Sequence, residues 1–190
     1  VTGTGAYVDG NTVIITSGDT HITNLAAAND ANVVVDEGNS DLTVQNGFAG
    51  KTMDLHSDDA TLDSITVGEQ LNSTAMGETV IGNVVSGNDV NIETEGGTTT
   101  VGTIRAMDEV VIDSKGSVLS SLQSIGVPNV VATRANVTSE EGTIGEGTLE
   151  NQFKMELSNS GEGTDSKADG DITIMDLQDP VLYNEVVSNN

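Results

Sequence analysis

Ser86-Gly-Asn-Asp-Val-Asn-Ile-Glu-Thr-Glu-Gly-Gly-Thr-Thr-Thr-Val-Gly-Thr-Ile104 and Met107-Asp-Glu-Val-Val-Ile-Asp-Ser-Lys-Gly-Ser-Val118 share one pattern. Each sets a short apolar alternation, Val90-Asn-Ile92 or Val110-Val-Ile112, ahead of a polar turn and a second apolar site. Working outward, Val13-Ile-Ile15, Val33-Val-Val35, Met53-Asp-Leu55 and Val130-Val-Ala132 extend the series. The starts lie at 13, 33, 53, 90, 110 and 130, so the steps are 20, 20, 37, 20 and 20, and 37 reads as two slightly short turns. A second ladder follows the first: Ile22, Leu42-Thr-Val44, Leu62, Val80-Ile81, Val101 and Val118-Leu119. A third adds one bulky residue and a small-residue corner at Leu25, Phe48, Ile65, Val84, Ile104 and Ile125. Three registers repeating together at one period mark a repeat architecture.

A period of about 20 residues, built from strands of three to five separated by Gly, Asn, Asp and Ser, describes one rung of a β-solenoid. The expected fold is all-β, a right-handed parallel β-helix, because parallel crossovers within one sheet are right-handed almost without exception. Helical solenoids need longer repeats and amphipathic helices, and a leucine-rich repeat needs a Leu/Asn framework that is absent here. Val13, Ile15, Val33, Val35, Met53, Leu55, Val90, Ile92, Val110 and Ile112 are expected to point inward. Ile14, Val34, Asp54, Asn91, Val111 and Val131 are expected to point outward. From about residue 147 the phase slips. Residues 1–146 therefore read as regular rungs, and 147–190 as irregular further rungs or a cap of the same domain.

Composition agrees with a narrow lumen. Of 190 residues, 23 are Val, 23 Thr and 12 Ile, whereas Tyr7, Phe48, Phe153 and Tyr183 are the only aromatics. β-Branched side chains favour strands and stack flat. Six Lys and Arg against thirty Asp and Glu give a formal net charge of −24. Such a polyanion is repelled by nucleic acid and by anionic membrane surfaces, so neither is expected as a partner. There is no Cys, hence no disulfide framework and no thiolate chemistry. No apolar run approaches the roughly 20 residues of a spanning helix, so membrane insertion is not expected. The opening Val1-Thr-Gly-Thr-Gly has neither the basic nor the apolar region of a signal peptide.

The two quoted rungs resemble the repeats of filamentous-haemagglutinin-like exoproteins, which read roughly small-Gly-x-(Asp/Asn)-Val-x-Ile, a Gly turn, a short strand, then x-Ile-x-Ala. The likeness covers about residues 11–146, most closely 84–126. It implies a large bacterial surface or secreted adhesin, often exported by two-partner secretion, whose β-helical shaft projects from the cell. The family's N-terminal secretion domain has no match in this sequence.

Chemistry-bearing residues are few. A β-helix stacks equivalent positions about 4.8 Å apart, and the column after the first strand reads Thr16, Asp36, His56, Glu93, Asp113 and Thr133. Glu93 and Asp113 should be neighbours there. Their spacing suits a retaining glycosidase pair or a weak Ca²⁺ site, against the plainer outcome of two carboxylates splayed into water. Arg105 and Arg134, the only arginines, fall at different phases of the rung. His21 and His56 fall on different strands and in no spaced ligand motif. Asp165-Ser-Lys-Ala-Asp169-Gly170-Asp171-Ile172-Thr-Ile-Met-Asp176 partly matches an EF-hand loop, with Lys167 in place of one ligand and Asp176 in place of the bidentate Glu. Asp165, Asp169, Asp171 and Asp176 are thus weak Ca²⁺ candidates, in what reads more simply as an acidic loop. Asn72-Ser-Thr74 and Asn136-Val-Thr138 are glycosylation sequons, expected by chance in this composition.

No base–nucleophile constellation and no cofactor motif emerges. The expectation is a non-catalytic structural or adhesive segment of a secreted bacterial surface protein. It would lie outside the cell or on its surface. Its partner would be a receptor or glycan on a host or neighbouring cell, or another copy of the chain joined end to end. The alternative is a carbohydrate-active β-helix lyase or hydrolase using stacked carboxylates.

Overall fold

A computed structural model describes residues 2–3, 6–36, 38–146, 148, 151–158, 164–168, 170, 172, 174–176 and 183–188. Two sheets, of eleven and nine strands, run side by side as a parallel β-solenoid. No helix occurs among the described residues. Each rung gives one short strand to the nine-stranded sheet and one long strand to the other. The short strands include Thr12–Thr16, Ala31–Val35, Thr52–Ser57, Gln70–Ala75, Asp89–Thr94, Glu109–Ser114 and Arg134–Ser139. The long strands are Thr20–Ala27, Leu42–Ala49, Ala60–Val67, Thr79–Ser86 and Thr99–Ala106.

The long strands contain the corner that separates the second and third ladders. Their third and sixth residues, such as Leu62 and Ile65, are both buried, with two outward residues between them. A straight strand would alternate, so two successive outward residues bend the chain and give the rung a third flat side. Ile22, Val44, Leu62, Ile81 and Val101 form one inward column, and Leu25, Ile65, Val84 and Ile104 belong to another. The third column runs down the short strands through Val33, Leu55, Ser73, Ile92, Ile112 and Val137.

Turns are fixed by what the next rung permits. Gly50, Gly68 and Gly87 stack at one corner, and a Cβ on Gly68 or Gly87 would strike the carbonyl of the glycine before it. Where short strand turns into long, inward hydroxyls pair with one another. Thr99 Oγ1 donates to Thr94 Oγ1 at 2.8 Å, and Thr94 Oγ1 to Thr79 Oγ1 at 2.8 Å. These three buried hydroxyls are thereby satisfied without water.

Several expectations are corrected. Val13 and Ile15 face solvent, 65% and 71% exposed, while Thr12 is buried and Ile14 packs against the core. The first rung is therefore out by one residue, because three consecutive apolar residues carry no phase and the register of the stack decides. Thr12, Ala31, Met53, Leu71, Val90 and Val110 lie in line, with steps of 19, 22, 18, 19 and 20. The two short turns hidden in the step of 37 meet at the Gln70–Ala75 strand. The remaining eight expected inward residues are buried.

Val130–Ala132 belongs to the long-strand sheet, where Val130 pairs with Ile104; the neighbour of Ile112 is Val137. Regularity ends at residues 121–129, ahead of the slip expected near 147. There the long strand splits into Val118–Ser120 and Val130–Ala132 around an insertion that leaves Ile125 exposed. Buried Asn129 closes the gap. Its Nδ2 donates to the Val101 carbonyl at 2.7 Å and the Gly102 carbonyl at 3.0 Å, and its Oδ1 accepts from Lys154 N–H at 3.0 Å. One side chain thus does the work of a missing strand segment. Beyond it, Phe153–Leu157 and Ile174–Asp176 continue the long-strand sheet, and Thr164–Ala168 and Tyr183–Ser188 the short one.

Replacing Ile112 by Asp puts a carboxylate into a dry lumen between Ile92 and Val137. Urea melts should show a loss of about 4 kcal/mol or more. Ile15→Thr, on the outward face, should change stability by less than about 0.5 kcal/mol. Equal losses would mean that inward and outward are wrongly assigned.

Candidate functional site

The outer face of the short-strand sheet carries the residues singled out for chemistry. Two of its outward columns carry most of them. One contains Asn32, Asp54, Asn72, Asn91, Val111 and Asn136. Asn72 Nδ2 donates to Asp54 Oδ1 at 2.7 Å, and Asn91 Nδ2 to Asn72 Oδ1 at 2.9 Å. Stacked amides suit this spacing because each both donates and accepts. Asn72 and Asn136, the two sequon asparagines, are ladder members inside strands; Asn136 Nδ2 donates to Glu109 Oε1 at 2.9 Å.

The other column contains Val34, His56, Thr74, Glu93, Asp113 and Thr138. Glu93 and Asp113 are register partners, as expected, and both are exposed. Thr16, Asp36 and Thr133 do not belong to this column. Thr16 pairs with Val35, and Thr133 follows the Val130–Ala132 strand on the opposite sheet. A shallow depression beside the pair is lined by Glu93, Glu95, Asp113, Lys115 and Glu140. Lys115 Nζ reaches Glu141 at 3.7 Å across half-exposed surface, a weak ion pair. Arg134 is held by Asp108 at 3.5 Å and Glu109 at 3.1 Å, and Arg105 lies on the long-strand sheet. Both carboxylates of the pair stand on an open, solvent-facing surface.

The remaining candidates are dispersed. His21 lies on a long strand and His56 on a short one, on opposite sheets. Asp165 pairs with Asn136 in the short-strand sheet and Asp176 with Met155 in the long-strand sheet, so the stretch likened to an EF-hand spans two sheets. Asp169 and Asp171 lie outside the described residues. Among the described residues, no group of three or more His, Asp or Glu is placed to hold a metal ion.

A carboxylate cluster that the sequence reading did not single out lies at the turn into the long strands. Asp41 N–H donates to Asp19 Oδ1 at 3.2 Å, and two rungs further on Glu78 N–H donates to Asp59 Oδ1 at 2.6 Å. Each carboxylate therefore anchors the backbone of the next rung. The cost is like charge at short range. Burial, then Asp59, Asp19 and Asp58, push the Asp41 carboxyl above its usual range.

No family model matches the chain, and neither a curated protein nor a solved structure shows significant similarity to it. The likeness to haemagglutinin-type repeats thus rests on the rung pattern.

A raised native pKa means that the folded chain holds the Asp41 proton more tightly than the unfolded chain does. The contribution of this group is most favourable below the unfolded value and declines as pH rises through the folded one. Asp41→Asn should therefore raise the urea midpoint at pH 7, and the gain should vanish near pH 3, where both states are protonated (about 3.9 being the usual Asp value). An equal gain at both pH values would show that charge is not the cause.

Proposed function

We propose that the chain is a non-catalytic, rigid adhesive segment of a secreted bacterial surface protein. The observation that carries this reading is the uninterrupted short-strand sheet. Nine parallel strands, each paired with the next and with one register shift at Thr164/Asp165, make a rod about 38 Å long, from eight spacings of about 4.8 Å. Such a rod bends little, because every rung is hydrogen-bonded to both neighbours. Its lumen is filled by side chains, so its outer surface is what it offers to other molecules. The resemblance to haemagglutinin-type shafts supports placement on the cell surface and attachment to a receptor or glycan. The charge of −24 keeps such rods apart in solution.

A second reading, a carbohydrate-active enzyme, is favoured by one observation: Glu93 and Asp113 stand in register with Lys115 beside them.

Beads coated with the protein should attach to epithelial or bacterial cells more than albumin-coated beads do. The soluble protein should release no product from acidic or neutral polysaccharides, with or without Ca²⁺. Failure of attachment overturns the adhesive reading. Turnover that disappears in Glu93→Gln or Asp113→Asn replaces it with the enzyme.

A further inference from the structure

Two aromatic side chains lie exposed among the described residues, and both occupy one outward column of the long-strand sheet. Tyr7 is 76% exposed and Phe48 46%. Tyr7 is in register with Ala26, and Ala26 with Phe48. The two aromatics are therefore separated by two rungs, about 9.6 Å, with a single methyl group between them. Phe153, by contrast, is fully buried.

Folding does not ask for this arrangement. Leu25 and Ile65 fill the inward position on either side of Gly47, which is glycine at that same position. A Cβ on Gly47 would lie 2.7 Å from Ile65 Cδ1. Gly47 thus leaves its inward place to the Ile65 and Met53 side chains, while Phe48 puts a ring in water, the reverse of what burial of the ring would favour. The expectation that Phe48 falls in the third ladder with Leu25 and Ile65 is corrected here, because Gly47 holds that register position.

Beside the aromatic column, two residues earlier on the same straight segment and so about 6.6 Å away, runs a polar row of Asn24, Asn46, Ser64, Asn83 and Thr103. It is pre-arranged. Asn46 Nδ2 donates to the Thr23 carbonyl at 3.1 Å and to Asn24 Oδ1 at 3.3 Å, and Thr103 Oγ1 donates to Asn83 Oδ1 at 2.7 Å. A trough lined by Asn24, Ala26, Asn46, Phe48, Ser64 and Thr66 joins row and column.

We propose that the Tyr7–Ala26–Phe48 column, with the Asn24–Asn46–Ser64 row beside it, is a binding platform for a neutral, extended polysaccharide lying along the solenoid axis. A pyranose ring has an apolar C–H face that packs on an aromatic ring, and hydroxyls at its edge that pair with amides and hydroxyls. In an extended β-linked chain every second sugar presents the same face, a repeat comparable with two rungs. Sulfated and uronate glycans are repelled by the charge of −24. The platform deepens the adhesive reading and rests on it, supplying the ligand class and its place.

The test is retention on crystalline cellulose and chitin, and retardation in gels containing soluble β-glucan or mannan, with polygalacturonate and heparin as anionic probes. At least one neutral glycan should retain the protein, and the anionic ones should not. Phe48→Ala and Tyr7→Ala should each weaken binding roughly tenfold, and the double variant should abolish it. Thr43→Ala, on another outward column, should bind as the parent does. If Phe48→Ala melts early, Phe48→Leu keeps the bulk without the ring and should show the same loss. No retention on any neutral glycan, or retention that survives the double variant, overturns the platform. Cell attachment that persists alongside either result leaves the adhesive reading standing and removes only this site; loss of both removes both.

Discussion

The spacing between parallel rungs, about 4.8 Å, governs this molecule. It puts every residue in contact with its counterpart a turn earlier and a turn later, so a residue type is tolerated according to how well it stacks on a copy of itself. Val, Ile and Leu stack well, interlocking flat side chains without leaving gaps. Glycine at a corner stacks because its neighbour's carbonyl occupies the space of a Cβ, as at Gly68 and Gly87. Asparagine stacks because it donates upward and accepts downward, as along Asp54, Asn72 and Asn91.

Carboxylates stack badly, yet thirty acidic residues have to be placed. The structure meets this in two ways. Glu93 and Asp113 stand in water on an open face, where screening is strong. Asp19 and Asp59 instead accept backbone N–H groups from the following rung. At Asp41, burial first and then the closeness of Asp59, Asp19 and Asp58 disfavour the ionised form. The corner thus trades charge repulsion for rung alignment.

The period was legible because three ladders repeated together and their corners stayed in phase. Phase was legible directly where an inward apolar residue alternated with an outward polar one, as at Met53-Asp-Leu55 and Val90-Asn-Ile92, and the 20-residue step carried it from those rungs to Val33-Val-Val35 and Val110-Val-Ile112. At Val13-Ile-Ile15 both faces are apolar and the alternation says nothing; Thr12, which is buried, does not advertise itself as a core residue. The Gln70–Ala75 strand escaped notice because two of its inward residues, Ser73 and Ala75, are small. Val130-Val-Ala132 fell on the 20-residue series by coincidence, since the insertion at 121–129 lengthens its own turn. The Glu93–Asp113 pairing was readable because it needs only the local step of 20, which holds there.

The outer columns were not legible, because their meaning depends on register across rungs of unequal length. Tyr7 and Phe48 are 41 residues apart in sequence, which is no multiple of the 20-residue period, and only the unequal turns between them bring both onto one face. Two turns of a strict 20-residue period would have set Gly47 rather than Phe48 in line with Tyr7, and a one-residue slip exchanges the faces. The 22-residue step from Thr20 to Leu42 is what places Phe48, rather than Gly47, on the outside. In such an architecture the core demands only that each rung close on the last. The length of each turn is then free to choose which side chains reach solvent together, and that is where surface chemistry can be changed without disturbing the stack.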